Sequence, residues 1–380
     1  MKGRTFNKSF VSGIFVFLFL LLAGNACSEA EPMYTGWAVG AASGGYGTIL
    51  RSTDSGKTWI RQGAGQIAAL SLSGVFAVDP YTAWAVGIQE SGYGSIYHTT
   101  NGGDTWERKG SSTIDSPDYI PNVEFLKVHA KGHDVWVVGN GTILHTSDDG
   151  ATWTNHIPND YISAPLQGVF VLDHDIVWVT GSLNSTGLIL KTTNAGLTWT
   201  RQGEGNVDVD GAWHLLGISA ADADTAWAVG GSDSVLKTSD GGTTWTRDPE
   251  PTFIKGADID INEVYAVSTS IVWVATDNTV YWTTDGGTSW DNGNNHGFSG
   301  YLAFMGISAV SSQKAWTSFD CYSGGYIAYT TDGGTTWVKV EQLDGENLPG
   351  LWNISFAPQP ISKFSWSLFA PARTGTNSVD

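Results

Sequence analysis

One octet recurs seven times along this chain, in the form Ser/Thr-x-Asp/Asn-x-Gly-x-Thr/Ser-Trp. It reads STDSGKTW (52–59), TTNGGDTW (99–106), TSDDGATW (146–153) and TTNAGLTW (192–199), then TSDGGTTW (238–245), TTDGGTSW (283–290) and TTDGGTTW (330–337). The closing tryptophans, Trp59, Trp106, Trp153, Trp199, Trp245, Trp290 and Trp337, are 45–47 residues apart. A fixed period of this length marks stacked supersecondary units, each too small to bury its own apolar face. Few architectures accept such a constraint.

The repeat extends beyond the octet. About twenty residues before each closing tryptophan stands a second tryptophan motif, such as GWAVG (36–40), VWVVG (135–139) or AWAVG (226–230). About ten residues earlier lies an apolar run, such as LSGVFAV (72–78), LQGVFVL (166–172) or FMGISAV (304–310). Adding the segments on either side of the octet, each period holds four short strand candidates rich in Val, Ile, Thr and Trp. Four antiparallel strands per period make the blade of a β-propeller, and seven periods predict seven blades. A parallel β-helix has shorter coils and lacks this four-strand rhythm. The first period lacks its apolar run, while GLWNISFAP (350–358) supplies one after the last octet. The C-terminal strand is therefore expected to complete the first blade and close the ring, leaving no free edge there. The segment FSWSLFA (364–370) resembles a further strand that this scheme does not place.

Within the octet each residue type has a local task. The glycine at the fifth position permits the positive φ of a tight turn. The residue at the third position (Asp54, Asn101, Asp148, Asn194, Asp240, Asp285, Asp332) offers a short acceptor to turn N–H groups. The tryptophan lays a large ring between sheets. Asn replaces Asp in two copies, which a hydrogen-bonded turn accepts and a catalytic carboxylate would not. One carboxylate per loop is also too few for a calcium site. The octet resembles the Asp-box, or BNR repeat, which implies a structural turn away from the functional face.

Composition bounds the function. The chain of 380 residues carries a formal net charge of −18, with 19 Lys and Arg against 37 Asp and Glu. No basic stripe could track phosphates, so nucleic acid is not an expected partner. An acidic surface could attract cationic partners. At the N-terminus Lys2, Arg4 and Lys8 precede an apolar run and then small residues, the order of an export signal. Three readings stay open: a cleaved secretory signal over 1–26, a lipoprotein signal with Cys27 lipidated as a membrane tether, or an uncleaved N-terminal anchor. The expected organisation is a signal at 1–26, a linker at 27–33, a propeller at 34–358 and an extension at 359–380.

Enzyme chemistry finds little to work with. Sialidases need converging arginines, yet Arg61, Arg108, Arg201 and Arg247 occupy one repeat position, two residues after a box tryptophan. Glycosidases of the xyloglucanase type need paired carboxylates about 5–10 Å apart. Asp115, Asp118, Asp160, Asp208, Asp210 and Asp320 lie off the repeat positions and keep that alternative open. No metal-ligand motif is visible and no cofactor is expected.

The long irregular connections lie at the end opposite the octets, where binding residues concentrate on a rigid scaffold. Candidate contacts there are Tyr46, Tyr93, Tyr119, Tyr161, Trp213, His214, His296 and Tyr322. The combination of WAVG strands, a strand–octet hairpin and an export signal resembles the photosystem II stability/assembly factor family over residues 34–358. That resemblance implies an exported seven-bladed propeller that binds a protein, with a basic, arginine-bearing patch in photosynthetic members. This chain is acidic and poor in arginine. The leading expectation is a non-enzymatic binding propeller with a protein partner; the alternative is a glycan-binding protein or glycoside hydrolase acting on polysaccharide.

Overall fold

The computed structural model describes residues 31–113, 116–204, 207, 214–247, 259–292, 303–321, 324–340, 342–343 and 346–359. The export signal, Cys27, Trp213, His296, Tyr322 and segment 364–370 lie outside those residues. The chain divides into two units, Met1–Glu31 and Pro32–Asp380.

The second unit holds seven antiparallel sheets arranged as blades. In the second blade the order is Leu72–Ala77, Ala83–Glu90, Tyr93–Thr99 and Glu107–Arg108, running from apolar run to outer strand. The first blade takes its inner strand from the C-terminus. Leu351–Pro358 pairs with Tyr34–Ser43, with Trp37 opposite Ser355. The ring is closed as the repeat pattern requires. Two details differ from that pattern. In the sixth blade, among the described residues, the outer strand shrinks to a bridge between Trp282 and Asp291. A two-stranded pair, Gln342–Leu343 with Glu346–Asn347, is added before the closing strand.

The octet ties blades together as well as turning the chain. In the copy at 238–245, Asp240 Oδ1 accepts from Thr238 Oγ1 (2.9 Å) and the Thr244 N–H (2.9 Å), and Oδ2 accepts from Thr244 Oγ1 (2.6 Å). Gly242, at φ +94°, sits where a Cβ would come 2.7 Å from Trp178 of the preceding blade. Trp245 meets the same Trp178 edge-on, with ring centroids 5.8 Å apart. The same edge contact joins Trp84 to Trp153, Trp136 to Trp199 and Trp273 to Trp337. In four blades the residue opposite on the next strand lies beside the other face of the WAVG tryptophan. Trp178 faces Lys191, Trp227 faces Lys237, Trp84 faces His98 and Trp136 faces His145. Lys191 Nζ then donates to Gly241 O of the next octet at 2.8 Å, and Lys237 Nζ to Gly286 O at 2.7 Å.

The Asn copies keep the turn by exchanging roles. Asn101 Oδ1 accepts from the Thr105 N–H at 3.0 Å, while Asn101 Nδ2 donates to Thr105 Oγ1 at 2.8 Å. The Thr hydroxyl that donates to Asp accepts from Asn. Asp54→Asn is therefore expected to change stability by no more than about 0.5 kcal/mol, and Asp54→Ala by about 1–2 kcal/mol. Urea unfolding of the two variants checks this pair of values.

Candidate functional site

The octets and the turns between first and second strands share one end of the ring. Gly241 N–H donates to Asp224 O there, and Gly102 N–H to Tyr81 O. The other end, the loop face, gathers the second-to-third strand turns and the blade-to-blade connections. Gly47 N–H donates to Ala69 O, Gly94 N–H to Pro121 O and Gly141 N–H to Ala164 O at that end.

Five predicted contact residues lie among the described residues, all at the loop face, and they spread around it without converging. Tyr46 is exposed at the tip of the first-blade turn. Tyr93 lies beneath the Arg108 guanidinium, 3.7 Å from its ring centre, so that repeat arginine holds a turn. Tyr119 closes a small loop by a parallel bridge to Ser111. Tyr161 ends a 3-10 turn, Asn159–Tyr161, and packs on the blade beneath it. Burial raises its phenol above the ordinary range, opposed by nearby Arg201. His214 covers Gly231, sits 3.7 Å from Asp260 and lines a groove of about 400 Å³ with Ser163–Pro165 and Ser182–Ser185. The exposed Leu70 and Ile162 also belong to this face. Of the candidate acids, Asp118, Asp160 and Asp320 are described. They lie on three different connections or strand ends, and Asp320 is packed against Gly350.

The axis of the ring is filled. Near the loop face Lys127 forms an ion pair with Glu263 across the axis, joining the third blade to the sixth. Asn353 Nδ2, from the first blade, reaches Glu263 Oε2 at 3.4 Å. The corresponding inner-strand positions of the other four blades are Gly74, Gly168, Gly217 and Gly306, which leave room for these long side chains. One layer deeper, Phe76, Phe170 and Tyr265 come from alternate blades. Between them stand hydrogen-bond acceptors. Ser355 accepts from the Ala77 N–H, His129 Nδ1 from Val171, Ser219 from Ala266 and Ser308 from Phe356. What remains is a void of about 60 Å³, lined by inner-strand residues.

His129 must be neutral to accept that N–H, and burial, reinforced by Lys131, lowers its pKa to about 3. Burial likewise lowers His98 to about 4. The unfolded chain binds these protons near pH 6.5 and the folded chain does not. Stability should therefore fall as pH drops from 6.5 towards 3, by on the order of 1 kcal/mol per unit from His129 alone. Replacing it by asparagine, which keeps an acceptor and does not titrate, should flatten the slope of melting temperature between pH 6.5 and 4.

Around the mouth of the axis is a ring that sequence reading missed. Every inner strand carries a β-bulge at the same place, where one extra residue breaks the register. These residues are Ser73, Leu126, Gln167, Leu216, Asn262, Met305 and Trp352. All seven are half-buried, while the residue before each of them is buried. Bulges re-aim a side chain out of the sheet pattern. Asn262 shows the consequence, donating to Asp277 Oδ1 at 2.9 Å and to Phe304 O of the next blade at 3.0 Å. The available signal was the second residue of each apolar run, which varies in kind while the residue before it is always Leu, Ile or Phe.

Among the described residues no group of three or more His, Cys, Asp or Glu side chains is placed to hold a metal ion. No helix there is long and apolar enough to cross a membrane. Residues 66–212 match the family model described as the photosynthesis system II assembly factor YCF48. The chain resembles the photosystem II assembly factors. A structure of YCF48 bound to D1 peptide is 17% identical, with a TM-score of 0.53, over 70% of this chain and 80% of that one. YCF48 from Cyanidioschyzon merolae is 18% identical, with a TM-score of 0.52, over 73% and 88%. A GH74 xyloglucanase from Xanthomonas campestris is 11% identical, with a TM-score of 0.55, over 86% of this chain and 56% of its own. At such identities the likeness shows the fold, which hosts many functions. No curated protein matches the chain.

Proposed function

We propose that this chain is an exported, non-enzymatic scaffold that holds a segment of a protein partner on its loop face. One observation carries the reading. The repeated charged and aromatic side chains are engaged within and between blades, while the loop face leaves Tyr46, Leu70 and Ile162 exposed around a half-buried central ring. The likeness to YCF48, one structure of which is bound to D1 peptide, supports a protein ligand. Export rests on the basic, apolar and small-residue order of the first 26 residues.

A paired screen tests this. The purified chain is offered to a polysaccharide panel and used to isolate partners from its own cell envelope. One stoichiometric protein is expected, recovered several-fold less by a Tyr46→Ser/Ile162→Ser double variant. Polysaccharide hydrolysis abolished by Asp118→Asn, Asp160→Asn or Asp320→Asn would overturn the reading.

A further inference from the structure

Resting on that reading of the loop face, we propose that the partner segment is basic as well as apolar. It seats over the mouth of the axis, with a lysine or arginine between Trp352 and Glu263. Three observations carry this.

The first is the shape of the chemistry at the mouth. Leu126, Leu216, Met305 and Trp352 supply an apolar rim at the bulges, half-buried and at the loop-face ends of their strands. Directly below them lies a charged pair whose side chains keep 17% (Lys127) and 14% (Glu263) of their surface exposed. An apolar rim over an accessible ionic floor suits an amphipathic chain better than a purely apolar one.

The second is an unused acceptor. Lys127 and Asn353 both reach the same oxygen, Oε2, of Glu263. Among the described residues Oε1 receives no hydrogen bond. A carboxylate has room for several donors. An ammonium or guanidinium entering from the loop face would meet Oε1 below and could lie against the Trp352 indole, a favourable pairing for a cation.

The third is charge. The chain carries −18 overall, and Glu124, Asp260, Asp277 and Glu346 lie on loop-face segments. Two of the repeat arginines of that face are turned inward. Arg108 is bound to Glu90 and Tyr93, and Arg247 to Ser232 O, while Arg61 stays exposed at the outer strand. An acidic segment would find repulsion here, and a basic one attraction.

The test uses the full chain and two fluorescently labelled synthetic peptides of equal length, one alternating Leu with Lys and one alternating Leu with Glu. Anisotropy titrations should show the basic peptide binding about tenfold or more tightly than the acidic one, with affinity falling as salt rises. Trp352→Ala and Leu216→Lys should each weaken the basic peptide by about tenfold, while Leu216→Glu should not weaken it. Glu263→Gln should reduce the charge preference. Because it also breaks the ion pair, Leu216→Lys, which touches neither charge, keeps the test independent of that pair. Equal or tighter binding of the acidic peptide, binding of neither peptide, or unchanged binding by Leu216→Lys overturns the proposal. If the acidic peptide binds and Tyr46→Ser/Ile162→Ser weakens it, the charge assignment falls and the protein-binding reading stands. If neither binds and a polysaccharide does, both fall.

Discussion

Trp178→Ala should be among the most damaging single changes in this chain, costing about 3–5 kcal/mol. The side chain is fully buried, and three partners from two blades depend on it. Lys191 Nζ sits 4.2 Å from its ring centre, Trp245 of the next blade meets it edge-on, and the next octet packs Gly242 against it. Parts of two blades pack on the ring, so closing the space would require one blade to move against the other, and much of the cavity term should be retained. The effect should reach across the seam. Amide exchange should speed up in Val177–Leu183 and also in Ser234–Thr238 of the following blade. Leu197→Ser, at an octet position 80% exposed, is the control and should stay within about 0.5 kcal/mol of the parent. Equal losses in the two variants would show that the tryptophan is not the shared element between blades.

The second large effect concerns the axial ion pair. Glu263→Leu alone leaves Lys127 as a nearly buried charge with its carboxylate removed, and should cost about 3 kcal/mol. Lys127→Met alone should cost a similar amount for the converse reason. The double variant removes both charges from an apolar surrounding and should recover most of the loss. Denaturant unfolding of the four proteins gives the coupling energy directly. If the double variant loses the sum of the singles, the two side chains do not act as a pair. If both singles are neutral, solvent reaches the mouth of the axis freely enough to screen them.

Acid sensitivity has two origins at different pH. His129 and His98 weaken the fold as pH falls below 6.5, because only the unfolded chain accepts their protons. The octet carboxylates act later. Hydrogen bonds from Ser289 and Thr283 lower Asp285 to about 2, so its contribution is present above the ordinary carboxylate pKa and is lost as pH falls through about 2.

The fold was legible because it is written repeatedly. Seven copies of the octet and of the WAVG strand count the blades, and the displaced apolar run at 350–358 locates the closure. The local role of Asp240 and Gly242 could also be read, since a turn is decided by residues a few positions apart. The binding face was only half legible. Tyr46 is displayed as expected, yet Tyr93 is occupied by Arg108, and Tyr161 is packed into its blade. Whether a loop aromatic is displayed or consumed depends on a neighbour that the loop sequence does not name.

The axis was not legible at all. Lys127, Glu263 and Asn353 are separated by 136 and 90 residues, and each looks like an ordinary variation in an apolar run. Nothing local distinguishes them from surface substitutions. Their meeting follows from ring closure, which carries the same strand position of every blade to one centre. The sequence by itself determined the number of blades, their strand order and the chemistry of the octet turns, because those rest on short-range periodicity and backbone geometry. Only the tertiary structure decided which side chains share the axis, which tryptophans two blades hold in common and which residues the bulges turn towards the loop face. Those relations depend on distances across the closed ring, and a linear period carries no information about them.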